Sequence, residues 1–200
     1  MNRTKNGKVK EYNNGKLKFE GEYLNRTKNG EGKEYNNGKL KFEGEYLDGT
    51  KNGEGEEYNE DNVLIFEGEY LNGRKNGNGK EYDSFDGALK FEGEYLNDKI
   101  NGNGKEYDYH VNLIFEGEYS NGKKKGYGKE YNNDGNLIFE GEFKNNERWN
   151  GKIYDNYNNF KYEIENGMNF LKELEFDDDD FEWDYKWTVL KLLYKLLNYK

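Results

Sequence analysis

Hydrophobic and polar residues alternate along most of the chain with the period of a β-strand. In the segment Leu40–Tyr46, written Leu-Lys-Phe-Glu-Gly-Glu-Tyr, apolar residues and glycine take every second position, and charged residues lie between them. A period of two residues with one apolar face is typical of a half-buried antiparallel strand. We therefore predict a strand that buries Phe42 and Tyr46 and turns Glu43 and Glu45 towards solvent.

A tight turn before this strand predicts a β-hairpin. Asn37 and Gly38 form an Asn-Gly pair, the strongest short hairpin signal, because both residues tolerate positive φ. The preceding segment Gly32–Tyr35 is then the partner strand of Leu40–Tyr46. The following segment Leu47–Gly55 is rich in Gly and Asn, and we expect it to connect this hairpin to the next one.

The turn type also predicts the register of the hairpin. A two-residue type I′ turn places Tyr35 opposite Leu40 and Glu34 opposite Lys41. We expect the Tyr35 ring to join the aromatic face, and Glu34 to form a cross-strand charge pair with Lys41.

The pentapeptide Phe-Glu-Gly-Glu-Tyr recurs along the chain, with a sixth copy that ends in Phe. The copies are Phe19–Tyr23, Phe42–Tyr46, Phe66–Tyr70, Phe91–Tyr95, Phe115–Tyr119 and Phe139–Phe143, at steps of 23, 24, 25, 24 and 24 residues. Such a period indicates a stacked array of one supersecondary unit. An isolated glycine in a strand marks close backbone approach, so we expect structural roles for the central glycines, which are Gly21, Gly44, Gly68, Gly93, Gly117 and Gly141.

The repeated unit resembles the MORN repeat (membrane occupation and recognition nexus). The motif is seen in Phe66–Tyr70, followed by Gly73, Gly77, Gly79 and Tyr82. The resemblance covers about residues 2–167 in seven phased units. It implies an all-β repeat array, namely an elongated, twisted antiparallel sheet of successive β-hairpins with an aromatic-lined groove along one side.

The chain is expected to have two parts. Residues 1–167 hold the seven repeats, of which the first is partial and the last is degenerate. Residues 168–200 hold an acidic linker, with Asp177–Asp180, and an amphipathic sequence from Trp187 onward with helical period. We expect a short C-terminal α-helix that caps the open end of the sheet. A membrane anchor and a partner-binding helix are the alternatives.

The charge balance limits the classes of partner. The formal net charge is −10, from 31 basic and 41 acidic residues, whereas nucleic-acid binding needs a basic surface. Cysteine is absent, which removes disulfides and thiol chemistry. No apolar run approaches the roughly 20 residues that span a bilayer, and no signal peptide precedes the repeats, so we expect a cytoplasmic location.

Candidate catalytic and ligand-binding residues are few. Pairs such as Glu67 and Glu69 recur in every copy, which indicates a solvated face rather than an active site. The Gly77–Gly79 segment lacks the strand–loop–helix context of a phosphate loop and is interpreted as a turn. The run Asp177–Asp180 lacks the spacing of a calcium loop, and His110 is a single histidine at a hairpin tip. We therefore expect no enzyme activity, no cofactor and no metal.

The aromatic residues are the main candidates for binding. The phenylalanines are interpreted as core, whereas amphipathic tyrosines along a groove would suit a peptide or a helix. The candidate residues are Tyr23, Tyr46, Tyr70, Tyr95 and Tyr119 in one series, and Tyr35, Tyr58, Tyr82, Tyr107 and Tyr131 in the other. The favoured function is a repeat scaffold that binds a protein, or a second copy of the chain. The alternative, implied by the resemblance, is peripheral association with membrane phospholipids.

Overall fold

The computed structural model describes residues 6–170, which form one open, twisted antiparallel sheet of 15 strands. The strands are β1 (Gly7–Asn13), β2 (Lys16–Leu24), β3 (Thr27–Asn36), β4 (Lys39–Leu47), β5 (Thr50–Tyr58), β6 (Leu64–Leu71), β7 (Arg74–Tyr82), β8 (Leu89–Leu96), β9 (Lys99–Tyr107), β10 (Leu113–Ser120), β11 (Lys123–Tyr131), β12 (Leu137–Lys144), β13 (Glu147–Tyr154), β14 (Phe160–Glu165) and β15 (Met168–Phe170). Their order in the sheet is their order in the chain, so every connection is a hairpin. The predicted array of hairpins is confirmed.

The connections at the two edges of the sheet differ in length. At the loop edge, where β1 meets β2 and β3 meets β4, the predicted Asn37-Gly38 turn is confirmed, with φ of 52° and 86°. At the turn edge, where β4 meets β5, the turn is only Asp48-Gly49, and the rest of the expected connection lies in β5. Successive turns at this edge bond to each other, since Gly49 N donates to the Lys28 carbonyl at 2.9 Å.

A β-bulge changes the predicted register within the hairpin. Tyr35 lies opposite Leu40 as predicted, but Glu34 lies opposite Phe42 and not opposite Lys41. Lys41 is the extra residue on β4, so the expected charge pair between Glu34 and Lys41 is wrong. The bulge recurs in the equivalent hairpins, for example between Glu57 and Tyr58. An inserted residue leaves one side chain unpaired and reverses the faces beyond it.

The core is a single row of interlocked aromatic rings on one face of the sheet, which we call the aromatic ladder. Each phenylalanine from Phe19 to Phe115 contacts, edge to face, the aromatic residue that ends its own copy and the one that ends the next copy. Phe42, for example, is 5.7 Å from Tyr46 and 5.3 Å from Tyr70, between ring centroids. The ladder consists of Phe19, Tyr23, Phe42, Tyr46, Phe66, Tyr70, Phe91, Tyr95, Phe115, Tyr119, Phe139 and Phe143, all buried. Edge-to-face pairs are the arrangement that the ring quadrupole favours.

Paired glycines let these rings lie directly on the backbone. Gly44 pairs with Gly55, and the row of paired glycines continues without a break from Gly21 to Gly151. A Cβ atom on Gly55 would lie 2.5 Å from Cζ of Phe42, which is too close for any side chain. The structural role predicted for the central glycines thus follows from the space that each phenylalanine ring occupies.

Basic side chains close the outer side of the aromatic ladder. The Lys51 ammonium lies 3.8 Å from the centroid of Phe42 and 2.8 Å from Glu57 Oε1. The same position is held in other repeats by Lys28, Lys75, Lys124 and Arg148. A cation over a ring, balanced by a carboxylate, covers the apolar surface of a sheet that has no second layer in the described residues.

The degenerate seventh repeat still forms strands, and the sheet continues past residue 167. Ile164 stands where the other copies have the central glycine; it pairs with Gly151 and is buried. β15 adds residues 168–170 to the same sheet. The predicted C-terminal helix and the run Asp177–Asp180 lie outside the described residues. Between residues 6 and 170 there is no helix of the length and apolarity needed to cross a membrane.

Candidate functional site

The face of the sheet opposite the aromatic ladder forms one continuous groove. Residues of β1 to β11, from Lys8 to Lys129, line a volume of about 1510 Å³ that is open on one side. Its floor is the row of paired glycines, which presents bare backbone. Its sides carry twelve glutamates and six lysines, so the lining has a formal net charge of −6. Tyr127 is the one aromatic residue among the described residues that line it.

The structure places the first tyrosine series in the core and not in the groove. Tyr23, Tyr46, Tyr70, Tyr95 and Tyr119 belong to the aromatic ladder, with only 4–7% of their surface exposed. Burial raises the pKa of their hydroxyls, most strongly for the four from Tyr46 to Tyr119. A buried ring has no surface to offer a partner, so these residues stabilise the sheet.

The second tyrosine series lies on the groove side, which corrects the prediction that Tyr35 joins the aromatic face. Tyr35 follows Glu34 in β3, and alternation after the bulge turns it away from the ladder. Its hydroxyl donates to Glu20 Oε1 at 2.7 Å, and Glu20 lines the groove. The equivalent half-buried residues Tyr58, Tyr82, Tyr107 and Tyr131 each donate to a groove glutamate.

Partial burial and these hydrogen bonds favour the neutral form of the five tyrosines of the second series, which we call the groove tyrosines. Burial, followed by the bond to the carboxylate, raises the pKa of Tyr35, Tyr107 and Tyr131 to about 12. Hydrogen bonds from lysine and tyrosine lower the pKa of Glu20, Glu67 and Glu92 instead. The hydrogen bond from Lys80, then that from Tyr82, lowers the pKa of Glu67. The five groove glutamates that accept a tyrosine hydroxyl are therefore anchored side chains and not freely moving ones.

Lysine and glutamate alternate across the strands of the groove. Lys10 Nζ lies 2.9 Å from Glu20, Lys80 Nζ lies 2.9 Å from Glu67, and Lys105 Nζ lies 3.4 Å from Glu92. Each pair joins residues that stand directly opposite each other on neighbouring strands. The glutamates that the sequence predicted to face solvent therefore form part of the charged lining of the groove.

The other candidate residues form no catalytic arrangement. Gly77–Gly79 lies within strand β7, so its interpretation as a turn is wrong, and it is not a phosphate loop. His110 is exposed at a loop tip, where its backbone N–H donates to Asp108. In the part of the chain that the structure describes, no group of three or more His, Cys, Asp or Glu residues is placed to hold a metal ion.

Sequence reasoning missed three exposed aromatic residues at the loop edge. Phe85, Tyr109 and Tyr157 are 92%, 74% and 83% exposed, each at the tip of a loop between two strands. A signal existed, because each is a lone aromatic residue within a short polar segment that joins two predicted strands.

The fold and the groove define a repeat protein in which each unit adds two strands to one sheet. The sequence pattern of the MORN repeat matches residues 42–62, 66–84, 91–109, 115–137 and 139–149. The matches follow one another through residues 42–149, a stretch that is more than half of the chain, and the chain belongs to the MORN repeat family. No curated protein sequence matches the chain.

Proposed function

We propose that this protein is a non-enzymatic scaffold that binds a segment of a protein partner along the groove. The observation that carries the proposal is the continuity of the groove across β1 to β11, with a glycine floor and anchored polar sides. A glycine floor offers flat backbone to a ligand, and the glutamates, lysines and asparagines above it supply donors and acceptors. The groove tyrosines act by fixing those glutamates, and their role in binding is indirect.

The dimensions of the groove suit a linear segment. Ten interstrand spacings separate β1 from β11, and at about 4.8 Å each they extend about 48 Å along the sheet. An extended peptide advances about 3.3 Å per residue, so about 15 residues would occupy the full length. Binding along such a surface depends on a few well-packed side chains more than on the total area.

Membrane association is the competing function, and the charges disfavour it. The net charge is −10, whereas anionic lipid surfaces attract polybasic segments. The one run of three lysines, Lys123–Lys125, is partly engaged, because Lys124 covers Phe115 and lies 2.9 Å from Glu106. A protein partner is therefore the better proposal.

The test is peptide selection with a groove that is either open or blocked. Linear peptides of about 15 residues are selected from a displayed random library, and their affinities are measured by fluorescence anisotropy. The double variant Asn78→Tyr/Asn103→Tyr fills the groove at two exposed positions. The fold tolerates this change because β11 carries Tyr127 at the equivalent position. Asn133→Tyr, at an exposed loop tip, is the matched control.

The blocked variant is expected to weaken peptide binding about tenfold or more, equivalent to ~1.4 kcal/mol, while Asn133→Tyr leaves it unchanged. Absence of selected peptides, or equal binding by the blocked variant, would contradict the proposal. Sedimentation of the full chain with phosphoinositide vesicles, unaffected by the groove variants, would favour the membrane function instead.

A further inference from the structure

One repeat departs from the charge pattern of the groove. In the first strand of each unit, the position directly after the paired glycine (Val9 stands in its place in the first unit) is lysine in six of seven units and glutamate in the third, where it is Glu56. The lysines are Lys10, Lys33, Lys80, Lys105, Lys129 and Lys152. Each of them stands directly opposite a glutamate of the next strand in the chain, for example Lys33 opposite Glu43. The six units that carry lysine therefore show which charge this position normally has, and Glu56 is the exception to them.

Glu56 places like charges opposite each other in the middle of the groove. It pairs with Glu43 on β4 and with Glu67 on β6, and both of these glutamates line the groove. In the same strands Glu54 stands opposite Glu69, where later repeats place Asn78 or Asn103 opposite the corresponding glutamate. The three strands β4, β5 and β6 thus present six carboxylates to the groove, namely Glu43, Glu45, Glu54, Glu56, Glu67 and Glu69.

The neighbouring cations leave most of this charge uncompensated. Lys33 pairs with Glu43 on one side, and Lys80 lies 2.9 Å from Glu67 on the other. Two ammonium groups against six carboxylates leave a formal charge of −4 at the centre of the groove. Like charges directly opposite each other destabilise a sheet, and the free chain bears that cost at the centre of the groove. Glu31 opposite Glu45 extends these like-charge contacts to β3.

We infer that the centre of the groove, around Glu56, receives a lysine or arginine side chain of the bound segment, so that the partner is a basic stretch of protein. The inference rests on the proposed function of the groove and adds the chemistry of its partner. A cation placed between Glu43, Glu56 and Glu67 restores the alternation that lysine supplies in the other units. Charge complementarity of this kind sets the choice and register of a partner.

The test compares two charge reversals that change the net charge equally. Glu56→Lys restores the pattern of the other repeats within the groove. Glu60→Lys makes the same change at an exposed position in the loop after β5, outside the groove. The probes are labelled peptides of about 15 residues in which threonine alternates with lysine, with glutamate or with serine, at about 0.15 M salt so that distant charges are screened.

The wild-type chain is expected to prefer the lysine peptide, and Glu56→Lys is expected to weaken that binding about tenfold, whereas Glu60→Lys changes it by less than about twofold. Glu56→Lys should also raise the melting temperature, because it removes the like-charge pairs, and Glu60→Lys should not. Equal loss with both reversals would overturn the inference, because net charge alone would then explain binding. A melting temperature of Glu56→Lys at or below that of the wild type would likewise contradict it.

The outcomes separate this inference from the proposed function. If the serine and lysine peptides bind equally and both are displaced by Asn78→Tyr/Asn103→Tyr, the groove binds peptides and only the inference about charge fails. If neither that double variant nor Glu56→Lys changes the peptide affinity, the groove is not the binding surface and both proposals fail.

Discussion

At the scale of single residues, glycine decides whether the aromatic rings can lie on the sheet. A Cβ on Gly93 would be 2.5 Å from the Asn103 carbonyl oxygen and 2.6 Å from the Gly104 Cα. Both of these atoms are backbone and cannot turn aside. By contrast, Gly38 in the Asn37-Gly38 turn has open space around its Cβ position, at a φ of 86° that asparagine also adopts.

Gly93→Ala is therefore expected to lower the free energy of unfolding by about 1–3 kcal/mol, the usual cost of overpacking. Urea denaturation followed by circular dichroism measures the change. Gly38→Asn is the matched control and should cost less than about 1 kcal/mol. Equal effects of the two substitutions would show that conformational freedom, and not the close approach of backbones, explains the glycines.

The groove tyrosines predict the behaviour of the protein in alkali. The pKa of Tyr35, Tyr107 and Tyr131 is raised to about 12, above the ordinary value of about 10. A group whose pKa is higher in the folded state contributes stability that is fully present below the ordinary pKa and is lost as the pH rises through the folded one. We expect stability to fall between about pH 10 and pH 12.

Ultraviolet absorbance of tyrosinate, recorded together with circular dichroism, tests this expectation. Most tyrosine ionisation should be delayed beyond pH ~10 and should coincide with loss of the sheet signal. Full ionisation near the ordinary pKa with the sheet still intact would contradict the burial and the hydrogen bonds described for these hydroxyls.

At the scale of strands, the basic residues that cover the aromatic ladder link each hairpin to the next. Ile100 takes the cap position in the fifth unit and packs against the core, so Glu106 has no lysine at the usual position on its own strand. Lys124 on β11 compensates, at 2.9 Å from Glu106 and 3.8 Å from Glu130, and it also covers Phe115. One lysine thus serves two carboxylates in two successive units.

Lys124→Met is accordingly expected to destabilise the sheet more than Lys51→Met, which removes the ammonium beside Glu57. Each substitution keeps an apolar chain over the ring and removes the charge, with an expected cost of about 1–2 kcal/mol for Lys51 and more for Lys124. Thermal unfolding of the two variants side by side is the measurement. A larger effect of Lys51→Met would show that the second carboxylate contributes nothing.

At the scale of the whole array, each strand pairs with its neighbours in the chain, so whole units should be removable. Deletion of residues 74–98 joins Gly73 to Lys99 and removes β7 and β8 together. The same turn then leads into an equivalent strand. Stability in such arrays is close to a sum over units and their interfaces. We expect the shortened chain to fold with a lower free energy of unfolding.

Deletion of residues 74–88 is the control, because it removes β7 alone. β8 would then have to run in the opposite direction, and its aromatic residues would lose their places in the ladder. This variant should not give a cooperative transition in urea. If both deletions fold equally well, the sheet does not depend on the two-strand unit described above.

The sequence by itself determined the architecture of this protein. Residue alternation in Leu40–Tyr46, the Asn37-Gly38 turn and the repeated pentapeptide all depend on neighbours in the chain, and the strands, the hairpins, their repetition and the pairing of Tyr35 with Leu40 follow from them. The structural role of the central glycines was also predictable, because the glycine recurs with the aromatic residues on either side of it.

Only the tertiary structure decided which face the residues beyond each bulge occupy and what the groove is made of. The bulge residue Lys41 puts Leu40 on the face opposite to Phe42, and Tyr35, which lies opposite Leu40, is therefore on the groove side and not on the predicted aromatic face. No local pattern shows such a residue, because the bulge exists only in the pairing of two strands. The groove is likewise a property of eleven strands together, and the acidic centre at Glu56 becomes visible only when residues from β4, β5 and β6 are brought side by side.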